Sequence, residues 1–319
     1  MPHQFVLAAH ERIRSSVLET PLKEVSSIFQ EIPSRIFFKL ENLQHTGSFK
    51  LRGATNKILS LTPEQAAAGV IAASNGNHGI GVAAAAQRAG VRAEVYVSSH
   101  VSPGKARRME ELGARVHRAG EDPLTAELAA RAAAEQSGKV FISPYNDIDV
   151  LAGQGTIAVE LLQRLPGANS IDAVFVAVGG GGLIGGIGAC LKHASPSTEI
   201  VGCWPQNSPV LYESIKAGRI IDVPEQPTLS ESTAGGLEPG SVTLEVCRRV
   251  IDRSVLVSEE EILSAMRHVR SAKGWLIEGA AGVALAAFLK NANDYRDKTV
   301  VIVICGGNLS DEVKARLEE

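Results

Sequence analysis

Short apolar runs of strand type alternate with helical stretches along most of this 319-residue chain. That alternation leaves few architectures open. Strands joined through helices pair in parallel, and the helices must cover the faces of the sheet. The runs 36–40, 70–73, 93–97, 115–117, 174–178, 200–204 and 299–304 read as strands. Helical spacing covers 5–19, 54–59, 80–89, 103–112, 126–136, 155–165, 183–193, 210–217, 259–273 and 279–289. The fold class is therefore α/β, with no internal repeat. Four unusual stretches lie just beyond strands: 46–53, 74–79, 179–182 and 305–308. Ligands of open parallel sheets bind beyond the carboxyl ends of the strands. The shared position is itself an argument that the four converge on one site.

Each stretch carries its own chemistry. Lys50 lies in Thr46-Gly47-Ser48-Phe49-Lys50-Leu51-Arg52-Gly53, at a strand-to-helix transition. It is either a solvated lysine at a helix start or a nucleophile whose amine is kept neutral by burial or by a neighbouring cation. Arg52 is a candidate for that cation. Gly179, Gly180, Gly181 and Gly182 follow one strand and precede a helix. They form either a packing turn or a cradle where backbone amides and a helix N-terminus meet a phosphate. The pattern is neither G-x-G-x-x-G nor a P-loop. A phosphate site plus a reactive lysine suggests pyridoxal 5'-phosphate, held covalently through the lysine amine. Phe49 is then placed to lie against the cofactor ring, and Cys305 to face the ring nitrogen. The stretch from Ser74 to His78 offers hydroxyl, amide and backbone N–H groups to a substrate carboxylate.

The bulk properties exclude other classes. Thirty-two basic residues stand against 35 acidic ones, a net charge of -3, which argues against a nucleic-acid partner. No apolar run is long enough to span a bilayer. The N-terminus lacks a signal-peptide layout, so the expected location is cytoplasmic. Cys190, Cys203, Cys247 and Cys305 have no metal-ligand spacing and read as reduced thiols.

Ser48-Phe49-Lys50-Leu51-Arg52-Gly53-Ala54, Asn75-Gly76-Asn77-His78-Gly79, Gly179 to Gly182 and Cys305-Gly306-Gly307-Asn308 occur in that order. Together they resemble the signature set of fold-type II pyridoxal-phosphate enzymes, which are tryptophan synthase β-like. Within these, the chain is most similar to the serine/threonine dehydratase (threonine ammonia-lyase) and serine racemase family, over nearly its whole length. The resemblance implies two open, twisted, mostly parallel sheets flanked by helices. It implies a large domain of residues 1–69 and 148–319, and a small domain of residues 70–147 that closes over the substrate. A homodimer follows from the same likeness. Residue by residue, it makes Lys50 the covalent and catalytic lysine, Phe49 the ring neighbour and Asn77 the partner of the ring's phenolic oxygen. Gly179, Gly180, Gly181 and Gly182, with the Leu183 amide, hold the phosphate. Cys305 faces the ring nitrogen, and Gly235 and Glu278 line the far side of the cofactor. Ser74, Asn75, Gly76 and His78 surround the substrate carboxylate, and Arg131 approaches it on domain closure.

A neutral partner at the ring nitrogen favours β-elimination over transamination, because a carboxylate there would stabilise the pyridinium, and through it a long-lived carbanion, much more than a thiol does. The expected reaction is dehydration and deamination of a small β-hydroxy amino acid, by default L-threonine or L-serine. The chain also departs from the family. Asn75 replaces a racemase serine, which argues against substantial racemisation. Residues 204–210 carry no carboxylate, so no divalent metal is expected there. Ser230-Glu231-Ser232-Thr233-Ala234-Gly235-Gly236 replaces the usual loop after Thr-Leu. The chain ends soon after Asn308, so a regulatory domain is not expected. The altered loop keeps threo-3-hydroxyaspartate open as a substrate. It also keeps a hydroxyectoine-degrading dehydratase open, to which 41–50 and 144–147 bear some likeness. β-Replacement of the cysteine synthase type and a non-catalytic binding protein are the further alternatives.

Overall fold

Among residues 1–29, 31–167 and 170–318, which the computed structural model describes, ten strands form two sheets. The larger has the order β1 (Leu22–Glu24), β2 (Arg35–Leu40), β10 (Thr299–Ile304), β7 (Ala173–Ala177), β8 (Glu199–Pro205) and β9 (Arg253–Val257). It is parallel except where β1 runs against β2. The smaller has the order β5 (Arg115–Arg118), β4 (Ala93–Val97), β3 (Val70–Ala73) and β6 (Val140–Phe141), and is parallel throughout. The two-sheet α/β architecture therefore agrees with the expectation. Central strands read as unbroken apolar runs because helices cover both faces. All five residues of β7 are buried, and Phe175 meets the rings of Phe288 and Tyr295 edge-on. No helix among the described residues is long and apolar enough to cross a membrane.

The helix Lys50–Leu59 sits at the seam between the sheets. Its approach is tied to the larger sheet by backbone bonds: the Phe49 N–H donates to the Cys305 carbonyl at 3.0 Å, and the Gly307 N–H donates to the Gly47 carbonyl at 3.0 Å. Its apolar residues Leu51, Ala54 and Ile58 belong instead to the core of the smaller sheet, with Val70, Val95 and Ile80. Lys50 is thus anchored to one sheet while its helix packs with the other.

Candidate active site

Lys50 is the first residue of its helix, and its ammonium donates to the Pro144 carbonyl at 2.9 Å. Burial lowers its pKa to about 8, although Cys305 and Glu278 oppose the shift. Desolvation penalises the charged amine, which is what a nucleophilic lysine requires. Arg52 is not the cation that tunes it. Its side chain is fully buried in a separate cluster, donating to Glu41 at 2.8 and 2.9 Å, to Glu160 at 2.6 and 2.9 Å and to Thr156 at 3.1 Å. The Glu41 and Glu160 carboxylates hold the guanidinium there, and like charge would repel it from the Lys50 ammonium. The candidate neighbour is therefore corrected: burial alone depresses Lys50. Phe49 lies beside it, with its ring centre 5.2 Å from the lysine nitrogen.

Lys50 and Phe49 open onto a cavity with about 400 Å³ of atom-free space, part of it open to solvent. The tetraglycine forms one wall, with Leu183 and Cys305 beside it. Three of the glycines are sterically required: a Cβ on Gly179 would lie 2.7 Å from the Thr233 carbonyl oxygen. A Cβ on Gly180 would lie 2.3 Å from the Tyr145 ring, and Gly181 has φ +85°, at the start of the helix Gly182–Ala194. The first-turn N–H groups of that helix lack partners within the helix, and its dipole adds partial positive charge, so an anion is favoured here.

Cys305 follows β10 and is buried. Burial, then the charge of Glu278, pushes its thiol well above the usual range, so it is neutral. Glu278 precedes the helix Gly279–Lys290, with a carboxylate oxygen 3.9 Å from the Cys305 sulfur. It accepts from Asn77 Nδ2 at 2.9 and 3.1 Å, from the Ser232 hydroxyl at 3.1 Å and from the Asn308 N–H at 3.3 Å. Burial raises its pKa while the Asn77 and Ser232 bonds pull it down.

The stretch 74–78 forms the entry to the helix Asn77–Ala89, with Gly76 as its N-cap. The Ser74 hydroxyl accepts from the Gly76 N–H at 3.1 Å. Both ends of the Asn75 amide are engaged by Ser98, at 2.7 and 2.8 Å. The His78 Nε2 lies 2.8 Å from the Ile142 carbonyl, and its Nδ1 is buried without a partner. Burial first, then the nearby Lys50 charge, lowers the His78 pKa to about 3, so the ring is neutral. For a substrate carboxylate this leaves the Ser74 hydroxyl and the backbone N–H groups of the helix start, not the side chains of Asn75 and a charged His78. Of the expected site residues, Phe49, Lys50, Gly179, Gly180, Gly181, Gly182, Leu183 and Cys305 line the cavity, whereas Ser74, Asn75, Gly76, Asn77, His78, Arg131, Gly235 and Glu278 do not. Arg131 lies over the Phe141 ring at 4.3 Å and pairs with Glu127 at 2.8 Å and Glu238 at 2.6 Å. Gly235 is exposed, and its N–H donates to Glu225 at 2.9 Å.

Tyr145 lines the cavity, although the sequence marks it only as part of a turn. Its ring lies against Gly180, its Cα and Cβ lie against Gly182, and its hydroxyl accepts from the Glu238 N–H at 2.9 Å. Ser232 and Thr233 complete that wall. The steric demand for glycine at 180 was the available signal, since a bare backbone there implies a bulky neighbour. A glycine cradle at a helix N-terminus, a lysine poised to be neutral and a neutral thiol together fit pyridoxal phosphate. The glycines would hold its phosphate, Lys50 its aldehyde carbon and Cys305 its ring nitrogen.

The profile of the family described as "Pyridoxal-phosphate dependent enzyme" matches residues 13–306. The chain is 39% identical to an L-threonine ammonia-lyase of Thermotoga maritima over 300 residues, which are 94% of this chain and 74% of that protein. The processed form of threonine deaminase isoform 2 from Solanum lycopersicum superposes with a TM-score of 0.92 at 29% identity, covering 98% of this chain and 91% of that one. Maize serine racemase superposes with a TM-score of 0.91 at 29% identity, covering 99% and 96%.

Proposed function

Since the chain belongs to the pyridoxal-phosphate dependent enzyme family, we propose that it is an ammonia-lyase of the threonine/serine dehydratase type. It takes a small β-hydroxy amino acid, by default L-threonine or L-serine, to a 2-oxo acid and ammonia. The 39% identity to an L-threonine ammonia-lyase supports the reading. When bound, pyridoxal phosphate supplies the electron sink that acidifies the substrate Cα–H. The chain supplies the rest. Lys50 Nζ, with its pKa near 8, has a substantial neutral fraction at mildly alkaline pH and accepts the Cα proton. The proton held at Nζ can then pass to the departing β-hydroxyl. His78, kept neutral by burial, neither repels the ammonium further nor competes as an acid. The Ser74 hydroxyl and the N–H groups at the start of the helix Asn77–Ala89 orient the substrate carboxylate.

Cys305 is the observation that carries the reaction type. A carboxylate at the same place would keep a proton on the ring nitrogen and so strengthen the electron sink; a buried neutral thiol would do so far less. Loss of the Cα proton is then best coupled to departure of the β-hydroxyl. Residues 70–147 act as the small domain that closes over the substrate and excludes water. Lys105 against Glu231 at 3.7 Å and Arg131 against Glu238 at 2.6 Å are the ion pairs that would hold it shut. The homodimer and the cytoplasmic setting belong to the same proposal and rest on the family likeness.

The test is keto-acid release by the cofactor-loaded protein from L-threonine, L-serine, both threo-3-hydroxyaspartate enantiomers and hydroxyectoine in parallel. Release of 2-oxobutyrate from threonine supports the default substrate. Activity confined to one of the others moves the substrate and points to the 230–236 loop. Silence on all five, with turnover only when sulfide or a thiol is supplied, replaces dehydration by β-replacement. A pH dependence follows from Lys50. Its neutral form is the nucleophile, so covalent loading of cofactor-free protein should accelerate as pH rises through about 8 and then level off. Stopped-flow absorbance of added pyridoxal phosphate measures this; a loading rate that falls across that range contradicts the assignment.

A further inference from the structure

The side-chain amide of Asn308 links the two sheets' sides of the site, and its orientation is dictated by neighbours that cannot reverse roles. One end meets Arg108 Nη1 at 3.2 Å, from the helix Pro103–Glu111. A guanidinium only donates, so that end is the oxygen. The other end meets the Thr46 carbonyl oxygen at 2.9 Å. A carbonyl only accepts, so that end is the NH2. The same NH2 reaches Asn77 Oδ1 at 2.7 Å. The Asn77 amide therefore has its oxygen toward Asn308 and its own NH2 toward Glu278, at 2.9 and 3.1 Å. The Glu278 carboxylate sits beside Cys305 and Ser232, two residues of the cavity wall. Gly47 completes the arrangement. It has φ +77°, and a Cβ there would lie 2.6 Å from Asn308 Oδ1.

We infer that Asn308 is a positioning residue, which holds the Asn77 amide with its N–H toward the phenolic oxygen of the cofactor, while Arg108 keeps Asn308 from turning over. The inference rests on pyridoxal phosphate occupying the cavity and deepens that reading. Were Asn77 reversed, its carbonyl oxygen would face both Glu278 and an anionic ring oxygen, three acceptors with no proton between them. In the observed orientation Asn77 presents N–H rather than carbonyl oxygen on the Glu278 side, and with the cofactor bound that N–H would stabilise negative charge on the phenolic oxygen. It would thereby keep low the pH at which the lysine-bound cofactor loses its proton.

The experiment is a pH titration of the visible absorption band of the loaded protein, for the wild type and for Asn308→Leu and Asn308→Ser. Both substitutions leave the charge unchanged. Neither side chain can donate to Thr46 and Asn77 together. The titration midpoint should move up by about one pH unit, the tenfold that one hydrogen bond to a charged group is worth. Where Asn308→Leu does not fold, the smaller Asn308→Ser decides. An unchanged or lowered midpoint in the folded variants overturns the inference. So does loss of the band from them while the wild type keeps it, since Asn308 would then hold the cofactor rather than orient a donor. A wild-type protein that develops no band with pyridoxal phosphate overturns the cofactor reading itself, so the two failures are distinguishable.

Discussion

Replacing Lys50 by alanine should lower turnover by about 10⁴-fold or more, because one side chain serves as covalent anchor and as proton carrier. The same variant should still take up pyridoxal phosphate noncovalently. The glycine wall and the helix start at Gly182 are independent of the lysine, and Cys305 and Leu183 remain in place. Borohydride reduction should then fail to attach the cofactor to the chain, while in the wild type it should attach it at Lys50. Mass spectrometry of the reduced protein reads this directly. Near-normal turnover in Lys50→Ala would remove the mechanism altogether, since no other lysine among the described residues lines the cavity.

The second large effect is on stability. Arg52→Met should cost about 3–5 kcal/mol, the range for removing one partner of a buried ion pair. Glu41, Glu160 and Lys39 are all buried around the guanidinium, and Lys39 also donates to Glu160 and to the Thr20 carbonyl. Without Arg52, two buried carboxylates share a single ammonium. The deficit should depend on pH. In the native protein, burial works against the Glu41 charge, yet Arg52, Lys39 and Thr20 together outweigh it, so the Glu41 pKa is lowered. Its stabilising contribution is complete above its unfolded pKa and is lost as pH falls through the lower folded value. The gap between variant and wild type should therefore be widest near neutral pH and shrink on acidification, as Glu41 protonates. Urea unfolding of the loaded proteins across that range measures it. A deficit under 1 kcal/mol at neutral pH would mean that the cluster is effectively solvated.

Much of the architecture was legible in the sequence, for a local reason. Strands covered on both faces are apolar throughout, so 174–178 and 299–304 announced β7 and β10. Where local pattern was weak, boundaries moved. The helix at Lys50 starts at the lysine rather than at Ala54, and the helix expected from Ile80 begins at Asn77. Both shifts occur where glycine and polar residues make the first turn and its periodicity has not yet begun. β9 was not anticipated, because Arg253-Ser254-Val255-Leu256-Val257 is short and gains its identity only by pairing with β8. The residues of the cavity wall were anticipated where chemistry alone marks them: a lysine after a strand, four consecutive glycines and a strand-terminal cysteine.

The direction of long polar side chains was not legible. Arg52 lies two residues from Lys50 yet turns to Glu160, 108 residues away. Arg131, expected to approach a substrate carboxylate on domain closure, pairs here with Glu238. Asn75 is occupied by Ser98, and Tyr145 reaches the glycine wall from a turn. The sequence by itself determined the central strands, most of the helices and which reactive groups stand at strand ends, because periodicity, glycine and strand termini act over a few residues; short strands such as β9 needed their partners. Only the tertiary structure decided which amides, carboxylates and guanidinium groups face one another. Those partners come from distant segments, and each choice is set by which unsatisfied donor or acceptor packing happens to bring within 3 Å.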